Sequence, residues 1–194
     1  MFEHQFDKSM AFEKKQMAIA DNFYKNQFPN YTTKRYFFDT EFDKEMQRKD
    51  IDISLISNNR TLHVSEKFRE KDFNDIYLEF FSKYPNTVGW MENSEAEILA
   101  YFLPQKLIWI DKIALLKFYN SVLKNEINIS FFEEIHQSKK LFWKKEIFIE
   151  QKKYHINIIQ ALNKIKDAEW QTLGISIPYQ MLNDYNINYK IYNL

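Results

Sequence analysis

The hydrophobic pattern of the chain changes its period several times. Phe6, Met10, Met17, Ala20, Tyr24 and Phe28 recur at helical spacing, which predicts an amphipathic helix over residues 6–28, ended by Pro29. Glu13 falls inside that apolar stripe, either as a boundary carboxylate that reaches solvent or as one aimed into a site. Residues 35–39 (RYFFD) predict a short strand, and residues 41–49 (EFDKEMQRK) read as a charged, solvated connector. The period then drops to two. Ile51, Ile53 and Leu55 alternate with Asp52 and Ser54, Asn58 and Asn59 suit a tight turn, and residues 61–68 alternate again. This hairpin puts Leu62, Val64, Glu66 and Phe68 on one face and Thr61, His63, Ser65 and Lys67 on the other.

Residues 75–82 (DIYLEFFS) predict a third strand of the same sheet, with Glu79 on its polar face, and the segment around Gly89 is a loop. Ser94 is a good N-cap for a helix running to about residue 102, with Glu95 and Glu97 opposing the dipole in its first turn. The dense apolar run 106–111 (KLIWID) predicts a buried strand, and residues 113–123 a helix. Beyond residue 124 the pattern is mixed: a helix over 156–166, a strand over 173–177, a helical turn over 179–185 and an edge strand over 187–192. Strands and helices intermingle, so the expected class is α/β, a mixed sheet flanked by helices. The expected organisation is a core over residues 1–123 with a mixed C-terminal extension, 124–194, packed on the same domain.

Composition narrows the chemistry. The 194 residues contain no cysteine, which excludes disulfides, thiolate zinc sites and cysteine nucleophiles. The four histidines, His4, His63, His136 and His155, show no zinc-binding spacing, and nucleotide-binding glycine motifs are absent. Twenty-seven basic residues balance 27 acidic ones, so any contact with nucleic acid must come from a local basic patch rather than from overall charge. No apolar run is long enough to span a bilayer and the first ten residues lack the order of a signal peptide, so the expected location is the cytoplasm, with no membrane partner.

Metal-assisted phosphodiester cleavage needs carboxylates to hold Mg²⁺ or Mn²⁺ and a cation to position water and neutralise phosphate charge. Asp52 on the first hairpin strand supplies a carboxylate, and Lys67 on the second supplies the cation. Over residues 9–111 the chain resembles the PD-(D/E)XK nuclease superfamily of restriction endonucleases and junction resolvases. KDIDISLI, VSEKFR and the later GW…SEAEILAY carry the likeness, and they are also similar to phage and prophage proteins of that superfamily. The resemblance implies a helix, a three-stranded meander, a helix and another strand. It implies a phage- or mobile-element-associated DNA endonuclease, with Asp52 as the strand aspartate and Ser65-Glu66-Lys67 at the acidic-x-lysine tripeptide. Asp52, Glu66 and Lys67 would be catalytic, and Asp52, Glu66, Glu79 and Glu13 would be the metal ligands. Two departures stand out: Ile51 replaces the proline before the aspartate, and Ser65 replaces the first acid of the tripeptide. Glu66 belongs to the opposite strand face, so a bulge, or Glu79 from the next strand, would have to compensate. The alternative is a nuclease fold without catalysis that acts as a binding or inhibitory partner of another protein. Arg69 and Lys71, just beyond Lys67, are candidate phosphate contacts. So are Lys144 and Lys145, which lie among Phe142, Trp143 and Phe148.

Overall fold

A computed structural model describes residues 6–127, 129–138, 140–165 and 168–194, except for the side chains of residues 6–11, 13, 129 and 165. In chain order the elements are α1 (Phe6–Gln27), β1 (Thr32–Arg35), α2 (Glu41–Arg48), β2 (Ile53–Ile56), β3 (Thr61–Phe68), β4 (Asp75–Lys83), β5 (Thr87–Val88), α3 (Trp90–Asn93), β6 (Ile98–Leu103) and β7 (Lys106–Asp111). Then come α4 (Lys112–Phe118), a π-helical turn (Tyr119–Leu123), α5 (Lys124–Glu126), α6 (Ile129–Ser138), β8 (Phe142–Ile149), β9 (Lys152–Ile165), β10 (Ala168–Pro178), α7 (Tyr179–Asp184) and β11 (Tyr189–Asn193). The class is mixed α/β, with two sheets and helices. The chain forms two compact units, one from residues 1–7, 73–92 and 114–187, the other from residues 8–72, 93–113 and 188–194.

The second of these units holds a six-stranded sheet in the order β1-β2-β3-β6-β7-β11. Its pairs are antiparallel except β3 with β6, which is parallel. Helix α1 lies on one face of this sheet. Its Ala20, Phe23 and Tyr24 pack with Ile53, Leu55, Val64, Ala100, Phe102 and Leu107 in one buried cluster, edged by Phe28, Phe68 and Trp109. The apolar stripe of α1 therefore meets the face of β3 that carries Leu62, Val64, Glu66 and Phe68. Ser65 and Lys67 point the other way, with His63, as their alternation dictates.

The other unit holds an antiparallel sheet in the order β5-β4-β10-β9-β8. Strand β4 belongs here, so the third strand expected beside the hairpin is in a different sheet. At Gly174 the β10 backbone runs so close to the Leu78 carbonyl and the Tyr77 ring that a Cβ has no room. Glycine's missing side chain permits that approach.

Four further expectations are corrected. Residues 41–48 form helix α2 rather than a connector: the Thr40 side chain caps the Asp43 N–H at 3.0 Å and Met46 buries on the inner side. Residues 98–103 are a strand rather than a helix. A short run buried on all sides has no visible period, and here β3 and β7 satisfy its backbone on both edges. Residues 156–165 belong to β9, where Tyr154, Ile156, Ile158 and Gln160 are buried at a period of two. Strand β1 also sits earlier than RYFFD, leaving Phe37 and Phe38 exposed after it.

Candidate active site on the β2–β3 hairpin

The site begins at the end of α2. The Asp50 N–H donates to the Gln47 carbonyl at 3.0 Å and the Ile51 N–H to the Met46 carbonyl at 3.0 Å. This paired closure requires a left-handed residue at position 50, and Asp50 has φ 55°. Glycine is the default there because a Cβ disfavours that conformation. An aspartate in its place turns its carboxylate onto β3. Asp50 Oδ2 accepts from the Ser65 hydroxyl at 2.6 Å and Oδ1 from Lys67 Nζ at 2.6 Å. Ile51 then buries against Met46, Tyr36 and Ala96, which fixes the approach of the chain to the sheet.

Two residues further on, the Asp52 Oδ2 accepts from the Glu66 N–H at 2.6 Å. Burial pushes the Asp52 carboxyl up to about 7; the Lys67 ammonium opposes this, and the charges of Asp50 and Glu66 add to it. Lys112, at the start of α4, is only 1 % exposed. Desolvation lowers its ammonium to about 8, against the pull of Asp50 and with the repulsion of Lys67. The Asp50–Lys67 pair thus acts on both Asp52 and Lys112, linking two carboxylates and two ammoniums. Deeper along the same face, Ser54 Oγ bridges the Tyr36 hydroxyl and His63 Nδ1, at 2.8 Å from each. That contact occupies one ring nitrogen of His63.

Glu66 is placed differently. Its carboxylate is on the α1 side, where the buried Tyr24 hydroxyl donates to Oε1 at 3.0 Å. Arg35 grips both carboxylate oxygens and reaches on to Asp21 Oδ1 at 2.6 Å. The side chains of Glu66 and Arg35 are 2 % and 9 % exposed, so this is an interior ion pair. Burial, with the Glu66 carboxylate beside it, holds the Tyr24 phenol well above its usual range, so Tyr24 acts as a neutral donor. The carboxylates of Glu66 and Asp21 raise the pKa of Arg35 despite its desolvation.

Of the residues expected from sequence, Asp52 and Lys67 come together, and Glu66 lies one residue away on the opposite face. Glu79 is on β4, in the other sheet. The side chain of Glu13 lies outside the described residues. Arg69 donates to the Tyr101 hydroxyl at 3.1 Å, and Lys71 is exposed. Lys144 and Lys145 alternate on β8: Lys144 faces solvent, whereas Lys145 turns to Glu134 at 3.1 Å and to the rings of Phe131 and Trp143. Among the described residues, no group of three or more His, Asp or Glu side chains is arranged to hold a metal ion. No helix of the described residues is long and apolar enough to cross a membrane.

Sequence reading missed Asp50 and Lys112. The Asp50-Ile51-Asp52 spacing was a usable signal for the first, but only once residues 41–48 are seen as a helix does position 50 become its left-handed terminus. Nothing near Lys112 marks it, because its burial arises from strands distant in sequence. Compared with known proteins, the chain matches no family model, no curated protein and no solved structure.

Proposed function

We propose that this protein is a metal-dependent phosphodiesterase acting on DNA, with Asp50, Asp52 and Lys67 at its centre. The observation that carries the reading is the Asp50–Lys67 pair, Oδ1 2.6 Å from Nζ, in the electrostatic field of Asp52. The order of α1, the antiparallel run β1-β2-β3 and then β6 parallel to β3, all within one unit from residue 8 onward, supports a restriction-endonuclease-like core. Mg²⁺ or Mn²⁺ commonly takes one or two carboxylates and completes its shell with water and phosphate oxygens. Asp50 and Asp52 fit as that pair, since both are hard oxygen donors on one side of the hairpin. A bound ion would supply charge neutralisation at the phosphate and a more acidic water. Lys67 would bind the scissile phosphate through its ammonium, and Arg69 and Lys71 would hold the flanking backbone. Glu66 has no ligand role in this reading, because Tyr24 and Arg35 already consume its carboxylate.

The test is incubation of supercoiled DNA with the purified protein and Mg²⁺ or Mn²⁺. Nicking is expected, and Asp50→Asn, Asp52→Asn and Lys67→Met should each lower it by about 100-fold or more. Glu66→Gln should retain nicking in whatever fraction stays folded. Activity that survives Asp52→Asn would remove the assignment. A second reading has its own support: Ser65 presents a hydroxyl where an acid is needed, and Lys67 is already held by Asp50. It is a nuclease scaffold that binds a protein partner without cutting. The absence of both cleavage and divalent-ion uptake in calorimetry, with a stable complex in pull-down, would select it.

A further inference from the structure

We infer that β8 is a docking edge for a second copy of this chain, joining the two five-stranded sheets into one continuous antiparallel sheet. Strand β8 is the last in its sheet, and among the described residues no strand pairs with its outer side. It is eight residues long, and Phe142 and Phe148 on it are 51 % and 60 % exposed. A long edge with exposed aromatics is a template for strand addition unless something blocks it.

The backbone says which groups the edge offers. The Gln160 N–H donates to the Leu141 carbonyl at 2.8 Å, so residues 141 and 160 form a hydrogen-bonded pair. Antiparallel pairs alternate, and the register runs Trp143↔Ile158, Lys145↔Ile156, Ile147↔Tyr154. The odd residues of β8 therefore spend their backbone groups on β9. The even residues, Phe142, Lys144, Glu146 and Phe148, point their N–H and C=O groups outward. Their side chains share the face away from α6, since Lys145 turns to Glu134 on that helix.

Those four residues read Phe, Lys, Glu, Phe at a spacing of two, which is self-complementary under a two-fold axis. With the axis at Lys145, Phe142 lies opposite Phe148 of the second copy and Lys144 opposite its Glu146, each pair occurring twice. Moving the axis by one residue either way sets Lys144 against Lys144 or Glu146 against Glu146, and sets phenylalanine against charge. Cross-strand aromatic and opposite-charge pairs stabilise a sheet, and like charges directly opposite destabilise it. Within its own chain Glu146 uses Oε1 for Lys153 at 2.7 Å and for His155 at 3.6 Å, which leaves Oε2 for the incoming lysine. The two Lys145 ammoniums that meet at the axis are each neutralised by Glu134 at 3.1 Å. This pairing is independent of the catalytic proposal, because none of the residues assigned to the hairpin site lies on β8.

Sedimentation of the full chain over a concentration series tests it. The wild type should approach twice the monomer mass. Lys144→Glu should halve that mass, because glutamates then face glutamates. Lys144→Glu combined with Glu146→Lys should restore the dimer, because the swapped pattern is self-complementary again. Lys145→Cys gives an independent readout. The chain has no other cysteine, and a non-hydrogen-bonded pair on the axis brings the two Cα atoms to roughly 4.5 Å, within disulfide reach. Oxidation should therefore link this variant as a dimer. A wild type that stays monomeric throughout the series, or a dimer unaffected by Lys144→Glu and not linked through Lys145→Cys, overturns the proposal.

Discussion

The two faces of β3 carry adjacent charged residues that do opposite work. Glu66 points into the α1 side, where Arg35 and Tyr24 saturate its carboxylate in a nearly closed interior. Lys67 points to the other side and meets Asp50, both side chains remaining about one-fifth exposed, at 22 % and 19 %. Interior pairs with every hydrogen bond made are rigid and expensive to break, whereas a half-open pair can exchange its partner for a ligand. Saturated in this way, the carboxylate in the middle of Ser65-Glu66-Lys67 is structural. The comparison explains why the proposed chemistry is assigned to Asp50, an aspartate that lies outside the hairpin.

The largest effect should come from breaking the closed face. Arg35→Met leaves Glu66 buried without its cation and should cost about 3–5 kcal/mol, read as a fall in the urea midpoint at pH 7. A loss as small as that of an exposed pair would mean that the two faces do not differ. Asp52→Asn should do the reverse on the open face, abolishing cleavage while raising stability at pH 8. The sign follows from the raised Asp52 carboxyl. The folded state keeps its proton up to about pH 7, whereas the unfolded state loses it near pH 4, so native stability falls as pH rises through that window. In the Asn variant the decline should flatten, and thermal melts between pH 4 and 8 would show it.

Lys112→Met should give a smaller gain at neutral pH. Because the folded ammonium is depressed to about 8, the unfolded state binds more protons between about pH 8 and pH 10. Wild-type stability should therefore rise with pH across that range, and the rise should vanish in the variant. Ser65→Ala removes one hydroxyl donor from the Asp50 carboxylate, which keeps Lys67, and should cost about 1.5 kcal/mol by urea titration. If it abolished cleavage outright, Ser65 would be part of the chemistry and not a support for Asp50.

Much of the sheet was legible because its strands alternate openly. The hairpin and β11 follow from a period of two, and β7 from its dense apolar run. Helix α2 was not legible, because its charge density hides the single buried Met46 and the Thr40 cap. Strand β6 was misread because a fully buried run carries no polar phase, and Ser94 offered a plausible helix start. Glu79 was expected beside the hairpin because β4 follows it in sequence. Hydrogen bonding to β10 instead puts β4 in another sheet, a choice no local pattern encodes.

Alternation along residues 61–68 already says which residues of β3 share a face, because side-chain direction in a strand alternates whatever the strand pairs with. It therefore separates Glu66 from Ser65 and Lys67 without any coordinates. Only the tertiary structure decided what each face meets: Arg35 and Tyr24 on one side, Asp50 with Lys112 nearby on the other. Those partners come from segments up to 45 positions away, brought in by helix packing and by the left-handed turn at Asp50. Burial and the local field, and hence the protonation of Asp52 and Lys112, are properties of that assembly, because desolvation depends on every chain segment that excludes water from the site.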